Sequence, residues 1–441
     1  MTDQDIPYNR RSSILIRNAY LNGRETDIFI HDGIIQAIGE GMSSVMHKNA
    51  DIEIDAGGDI ALPGLVNTHT HAAMSLLRGY ADDMVLFNWL SEKIWPLEAH
   101  LTADDVYWGT RLACLEMIKT GTVAFNDMYF FMDRAADAVE EAGMRACLSH
   151  GFIDLFTEEK REAEIKATMA LHRNIKARNN TRLSFATGPH ALYTVSSDGL
   201  SWCADYAKEH ECGIHIHLSE TQTEVDDCIK NNGVSPAAHL EKYGILTDRT
   251  VAAHCCYLDD AECRLLGRFN TAASHNPSSN MKLAGGRAIP YKALRNAGAP
   301  VTLGTDGCAS NNNLDLFEEM KIAALLQKFA TRDATILPAA EAIDIASRTG
   351  AEALRTGGGT VAPGYAADII LLDRRAICQT PFHNPVSNLV YACNGDVVKT
   401  VICDGAILMH DRFIPGADAI LAGAAQAAAA LVGRREEELE N

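Results

Sequence analysis

No run in the 441 residues is long and apolar enough to span a membrane. The Ala-rich stretch from Ala419 to Val432 is broken by Gly423 and Gln426 and reads as a helix packed on a surface. The first residues, Met1-Thr2-Asp3-Gln4-Asp5, place no basic segment ahead of an apolar core, so no secretory leader is expected. Blocks of lysine or arginine are missing too. With 39 basic against 58 acidic residues the formal charge is −19, a sign that repels phosphate backbones, and neither a nucleic acid polymer nor a membrane is an expected partner. The 12 cysteines include no Cys-x-x-Cys pair, and Cys255-Cys256 lie side by side in an apolar stretch. Reduced, mostly buried thiols are therefore expected, as in a cytoplasmic protein. Thr356-Gly357-Gly358-Gly359-Thr360 has no Gly-Lys-Ser/Thr after it, which excludes a phosphate-binding loop.

What is present describes a folded globular chain. A hydrophobic fraction of 47% and a charged fraction of 22% are ordinary, and the length fits one barrel of roughly 250 residues with a smaller domain beside it. Residues 13 to 41 alternate in the strand manner, with Asp32-Gly33 as a tight-hairpin signal. The same texture returns in Ala367–Leu372 and Val397–Ile402, followed by Asp404-Gly405 and Ala406–Leu408. Neither terminal piece can bury a core alone, so the two are expected to pair into one small β-sandwich domain. The division expected is 1–62 and 359–441 for that domain, the latter with the C-terminal helix, and 63–358 for the middle.

In the middle, strands and helices alternate. Eight strands are predicted over Ile60–Asn67, Thr122–Met128, Arg145–Phe152, Arg182–His190, Gly213–Ser219, Thr250–His254, Thr271–His275 and Ala299–Asp306. Helix signals lie between them, such as Thr102 as N-cap of Ala103–Lys119, and Met132–Glu141 closed by Gly143. Further helices are predicted over Ser196–Glu209, Pro236–Lys242, Ile289–Asn296, Leu314–Phe329 and Ala339–Leu354. This pattern is that of an α/β chain with a (β/α)8 TIM barrel. Each strand is apolar until its C-terminal end, where His69 and His71, Asp127, His150, His190, His217, His254, His275 and Asp306 appear. In such a barrel that end is the catalytic face.

His69 and His71 are two residues apart on a strand, so their imidazoles aim to one side. His217 can reach the same axis from the fifth strand, and Asp306 adds a carboxylate from the eighth. His215 has the same parity as His217; His217 is favoured because it lies nearer the strand's end. Three imidazoles and one carboxylate suit zinc, with iron(II) as the alternative, and leave a position open for water. Such a water needs proton carriers. Glu220, three residues past His217, is placed at the rim to give a proton to a ring nitrogen, and His254 can orient or polarise the water. Asp306 can take the water's proton and pass it to a departing amine.

The assembled motifs resemble the amidohydrolase superfamily in its branch of methylthioadenosine/S-adenosylhomocysteine deaminases. They are Pro63-Gly64-Leu65-Val66-Asn67-Thr68-His69-Thr70-His71, Gly188-Pro189-His190, His217-Leu218-Ser219-Glu220, Ala253-His254-Cys255, Ser274-His275-Asn276-Pro277 and Gly304-Thr305-Asp306-Gly307-Cys308-Ala309-Ser310-Asn311-Asn312. The resemblance implies one zinc per chain on His69, His71, His217 and Asp306 without a carboxylated lysine. It implies that Glu98, in Trp95-Pro96-Leu97-Glu98, grips the ribose hydroxyls and that His190 lines the same pocket, beside Glu220 and Asp306. The activity implied is hydrolytic deamination of an adenine nucleoside to the inosine analogue and ammonia. Members that act on S-adenosylhomocysteine use arginines after strand three, whereas here only Lys160 and Arg161 follow it. The chain thus looks more like deaminases of 5′-deoxyadenosine and methylthioadenosine, with S-adenosylhomocysteine and adenosine as further candidates.

The Pro-Cys-x-x-Cys signature of cytidine-type deaminases is absent. A triazine chlorohydrolase would share the metal constellation but has no ribose diol for Glu98. A non-catalytic barrel scaffold would lose ligands, and none is lost here. The remaining expectations are a small-molecule nucleoside as partner and a homo-oligomer.

Overall fold

The computed structural model describes residues 6–42 and 47–440. Met1–Asp5, on which the expectation of no leader rests, lie outside the described residues. Eight parallel strands follow in chain order, each bonded to the one before. They are β1 (Leu65–Thr70), β2 (Thr122–Tyr129), β3 (Arg145–Phe152), β4 (Leu183–Pro189), β5 (Gly213–Leu218), β6 (Thr250–His254), β7 (Ala272–His275) and β8 (Val301–Leu303). No regular ladder joins β8 to β1. Instead Thr68 Oγ1 donates to Leu303 O at 3.0 Å, and the Thr305 and Asp306 N–H groups donate to His69 O at 3.1 and 3.0 Å. That closure carries the residues just past β8 over the end of β1.

The predicted strand over Ile60–Asn67 is two strands. Ile60–Pro63 belongs to another sheet, pairing antiparallel with Ile369–Leu372, and the barrel strand begins at Leu65. Gly64 lies between them, where a Cβ would stand 2.5 Å from both Val123 methyls; any side chain there would push the sheet off the barrel.

The second sheet is built from both termini. Its order is Ala406–Met409, Val398–Cys403, Ile369–Leu372, Ile60–Pro63, Ile14–Leu21, Arg24–His31, Ile34–Gly39, with Ile52–Asp55 also paired to Ile14–Leu21. Asn22-Gly23, Asp32-Gly33 and Asp404-Gly405 all have positive φ at both residues, the two-residue hairpin geometry whose twist matches the strands. Bridges between Arg11 and Ala406 and between Ile34 and Ala366 bring distant parts of the sheet together around Ile14, Ile16, Ile28, Ile30 and Ile35.

Helix signals translate well where a cap is present. Thr102 accepts from Asp105 N and Asp105 returns the bond, fixing the start of Ala103–Lys119; Gly143 closes Met132–Ala142 in the left-handed region. The predicted Ala339–Leu354 is interrupted at Ser347, giving Ala339–Ala346 and Arg348–Ala353. The Ala-rich tail is part of one helix, Ala417–Glu440, tied to the barrel by Arg434 on Asp105 and by His100 on Glu438. No helix among the described residues is long and apolar enough to cross a membrane. Ten cysteines are free, eight of them buried. Against expectation, Cys378 and Cys393 form a disulfide, with Cα atoms 5.3 Å apart.

The two domains are stapled at the barrel's N-terminal end. Arg145, the first residue of β3, donates from Nε to Asp368 and from an Nη to Asp404, both at 2.9 Å, and all three side chains are buried. Arg145→Ala would strand Asp368 without its cation, because Arg11 and Arg182 reach only Asp404. A loss of about 3–5 kcal/mol is expected. Urea unfolding of the variant should show a lower midpoint, and an unchanged midpoint would refute this role.

Candidate metal centre and active site

The strand ends bring six of the singled-out side chains together. His69 ends in the barrel axis, wholly buried, and His71 follows just past β1. Gly304 permits the approach of β8, since a Cβ there would stand 2.9 Å from His69 N and 2.5 Å from Asn276 Oδ1. Beyond it Asp306 turns through a left-handed backbone at φ 62°, and His254, at the end of β6, does so at φ 70°. Such conformations cost a non-glycine residue energy and persist where the surroundings hold them.

Hydrogen bonds decide which ring nitrogen faces the centre. His71 Nδ1 is 2.6 Å from Met128 O and His217 Nδ1 is 2.8 Å from His190 O. A carbonyl can only accept, so both imidazoles carry their proton on Nδ1 and present a bare Nε2. Those two Nε2 atoms lie 3.3 Å apart, lone pair against lone pair. Asp306 Oδ1 is 3.4 Å from His71 Nε2 and 3.5 Å from His69 Nε2, and the latter is buried without a hydrogen-bond partner. Four donors on a zinc at roughly 2.1 Å would be about 3.4 Å apart in a tetrahedron. The donor set therefore fits a cation better than it fits itself. Burial pushes His69 down to about 4 and His217 well below the usual imidazole range, keeping both in the neutral form that ligates.

The other carboxyl oxygen of Asp306 is occupied. Ser279 and Ser310 donate to Oδ2 at 2.6 and 3.0 Å, and Gly307 N donates to Oδ1 at 2.8 Å. His254 Nδ1 meets the Asn280 amide at 2.9 Å, and its Nε2 faces Glu220 Oε2 at 3.9 Å. Glu220 is partly buried in the cleft, and that desolvation raises its carboxyl above the usual range. Its backbone is held from behind. Glu224 accepts from Ser219 N and Glu220 N, one per oxygen and each at 2.9 Å, around a Ser219 in the left-handed region. The sequence reading did not single out Glu224; the Thr221-x-x-Glu224 capping spacing was the signal that could have found it.

Across the cleft stands Glu98, on a helical turn (Trp95–Glu98) that continues a π turn, Leu90–Ile94. Tyr129 OH donates to Glu98 Oε1 at 2.6 Å, and burial pushes the carboxyl up to about 7. His190 lies beside His217, ring centroids 4.8 Å apart, with Nδ1 against Thr194 Oγ1. The cleft between Glu98 and the metal-facing side chains is walled by Trp89, Met128, Phe130, Ile153, Tyr193 and Leu283, and among the described residues no lysine or arginine lines it.

Three residues singled out at strand ends, and His215, stay outside this cluster. His150 pairs with Glu164 at 2.6 Å on a flanking helix. Asp127 accepts from Ala72 N at 2.8 Å, fixing the turn after His71. His275 is buried with neither ring nitrogen partnered. His215 lies behind His69 rather than among the metal-facing atoms. Arg161 faces Asp198, and neither it nor Lys160 reaches the cleft.

Residues 60–408 match the model of the amidohydrolase family. A protein of Methanoregula boonei named 5′-deoxyadenosine deaminase is 58% identical over 430 residues, 97% of each chain. One of Archaeoglobus fulgidus named 5-methylthioadenosine/S-adenosylhomocysteine deaminase 1 is 46% identical over 399 residues, 90% of this chain and 93% of that one. The crystal structure of an adenosine deaminase from Xanthomonas campestris with bound zinc superposes with a TM-score of 0.89 at 32% identity, covering 96% of this chain and 99% of that one.

Proposed function

The chain belongs to the amidohydrolase family, and on that footing we propose that it hydrolytically deaminates an adenine nucleoside whose 5′ substituent is small and apolar or absent. The product would be the inosine analogue and ammonia. The observation that carries this reading is Glu98, a half-buried carboxylate facing the donor cluster across an apolar cleft, where a ribose diol can supply two hydrogen bonds. The relatives named for 5′-deoxyadenosine and methylthioadenosine support the same substrate class.

Zinc held by His69, His71, His217 and Asp306 would supply an activated water at neutral pH, iron(II) being the other metal the donors suit. Glu220 gives a proton to N1 of the purine as C6 is attacked, and His254 hydrogen-bonds at the same face. Asp306 receives the water's proton and returns it to the amine, which leaves as ammonia while the hydroxyl on C6 gives its proton to Glu220, forming the carbonyl and restoring the acid. His190 and Glu98 fix the nucleoside between them. A 5′ substituent would lie along Phe130, Gly151 and Ile153, part of a lining with no lysine or arginine among the described residues.

The remaining expectations stand as proposals of the same kind. Residues 63–358 form the barrel domain, while 1–62 and 359–441 form the β domain and tail, supported by the shared sheet. A homo-oligomer is supported by the exposed apolar side chains of Val85, Phe87, Phe156 and Met281, on loops and short helices at the barrel end that carries the cleft. Ten free cysteines support a reducing compartment, the cytoplasm, although the Cys378–Cys393 disulfide stands against it.

The test is kcat/KM for 5′-deoxyadenosine, methylthioadenosine, S-adenosylhomocysteine, adenosine, AMP and 2′-deoxyadenosine. A buried carboxylate left short of a hydroxyl costs about 1–3 kcal/mol, so 2′-deoxyadenosine should be poorer than adenosine by roughly ten- to hundredfold. Glu98→Gln should shrink that ratio. A preference for AMP or a non-nucleoside would overturn the reading, and S-adenosylhomocysteine as best substrate would overturn the tail assignment alone.

A further inference from the structure

Each metal-facing imidazole is oriented through its other nitrogen, but not by the same chemistry. His71 and His217 lean on backbone carbonyls, which leave no choice of proton position. His69 leans on a side chain. Its Nδ1 is 2.8 Å from Nε2 of His215, with the two rings nearly perpendicular at 87°. His215 lies two residues before His217 on β5, wholly buried, and its own Nδ1 has no partner.

An imidazole nitrogen can donate or accept, so this contact has two senses. If His215 Nε2–H donates, His69 must carry its proton on Nε2, aimed at Asp306 and His71, and has no lone pair for a metal. If His69 Nδ1–H donates, its Nε2 is bare, and His215 is left as the Nδ1–H form with that N–H unsatisfied. Only the second sense is compatible with ligation. His215 cannot compete as a ligand in this arrangement, because its Nε2 is engaged by His69 while its Nδ1 is not among the clustered donor atoms.

We propose that His215 is a positioning residue that sets the tautomer and the ring orientation of His69, the most deeply buried of the metal-facing imidazoles, by accepting its Nδ1–H. The proposal rests on the metal reading above. It makes His69 the one imidazole whose readiness depends on a neighbouring side chain, with an unsatisfied His215 N–H as the cost of readiness.

The experiment is zinc affinity, measured on purified protein by competition with a chromogenic chelator, for the wild type, His215→Leu and His215→Gln. Leucine removes the acceptor, and glutamine can return a carbonyl oxygen near the place of Nε2. Loss of an outer-shell partner of this kind weakens metal binding by about 10–100-fold. His215→Leu should fall in that range with one zinc per chain still reached at saturation, and His215→Gln should recover most of the loss. Nitrogen-15 spectra of the zinc-loaded wild type should show His215 protonated on Nδ1, a readout that stands even where the leucine variant does not fold. Unchanged affinity in His215→Leu, equal weakening in both variants, loss of stoichiometry, or an Nε2-protonated His215 would each overturn the proposal. A wild type that binds no zinc would instead overturn the metal reading itself.

Discussion

Replacing His217 by alanine is expected to strip most of the metal and nearly all turnover. His217 supplies one of four donors, of which the His217–His71, His71–Asp306 and His69–Asp306 separations of 3.3 to 3.5 Å suit a zinc site. His254 clusters with His69 and Asp306 but faces Glu220, and neither His190 nor His215 is placed to substitute. His190 is closest, yet its carbonyl serves His217 and its Nδ1 is engaged with Thr194. His215 is spent on His69. Affinity should therefore drop by more than the roughly 10–100-fold that losing an outer-shell partner costs, and with it the activated water. Metal content by atomic absorption and ammonia release on the same sample measure both. His150→Ala is the control, since His150 faces Glu164 away from the cleft and its loss should leave metal and rate intact. A His217→Ala protein that retains one metal per chain and substantial activity would remove His217 from the site.

Much of this was legible because barrel geometry is repetitive. An apolar run ending in His or Asp, repeated eight times, fixes which end of each strand is functional, and parity fixes that His69 and His71 converge. The same rule does not say which way the last residue points. His150 turns out to Glu164, and His275 is buried beneath the site without a partner. Of the two histidines two apart on β5, the deeper one, His215, backs His69, while His217 opens on the cleft.

Other features depend on contacts that no local pattern encodes. The continuous apolar run from Ile60 hides the change of sheet at Gly64, which is set by the approach of Val123. The helix Glu158–Arg178 buries only Thr168, Leu171 and Ile175 and has no side-chain N-cap, so its periodic signal is faint. The break at Ser347 carries neither glycine nor proline to announce it. Glu98 enters the cleft on an irregular stretch with a π turn, and its depth comes from Tyr129, over thirty residues away. Nothing in its own neighbourhood distinguishes it from a solvated helix-end acid.

Glu220→Gln is expected to keep metal and fold while lowering kcat by at least about a hundredfold, the usual scale for removing a positioned proton donor. The side chain is placed from two sides. Glu224 clamps the Ser219–Glu220 backbone by two N–H bonds, and His254 Nε2 faces the carboxyl at 3.9 Å. The amide keeps that shape and has no acidic proton to give to N1. Burial favours the neutral acid, so Glu220 stays protonated to higher pH than an exposed glutamate would. The protonated form is the working form for the first transfer. Turnover should therefore fall as pH rises through the Glu220 pKa, and Glu220→Gln should lose that alkaline limb along with most of its rate. Glu224→Gln separates placement from chemistry, since it disturbs the clamp but leaves the acid in place. It should lower kcat while retaining the limb. If Glu220→Gln retains metal and loses less than about tenfold, another group donates the proton. The candidate would then be His254, whose Nε2 stands 3.9 Å from the Glu220 carboxyl.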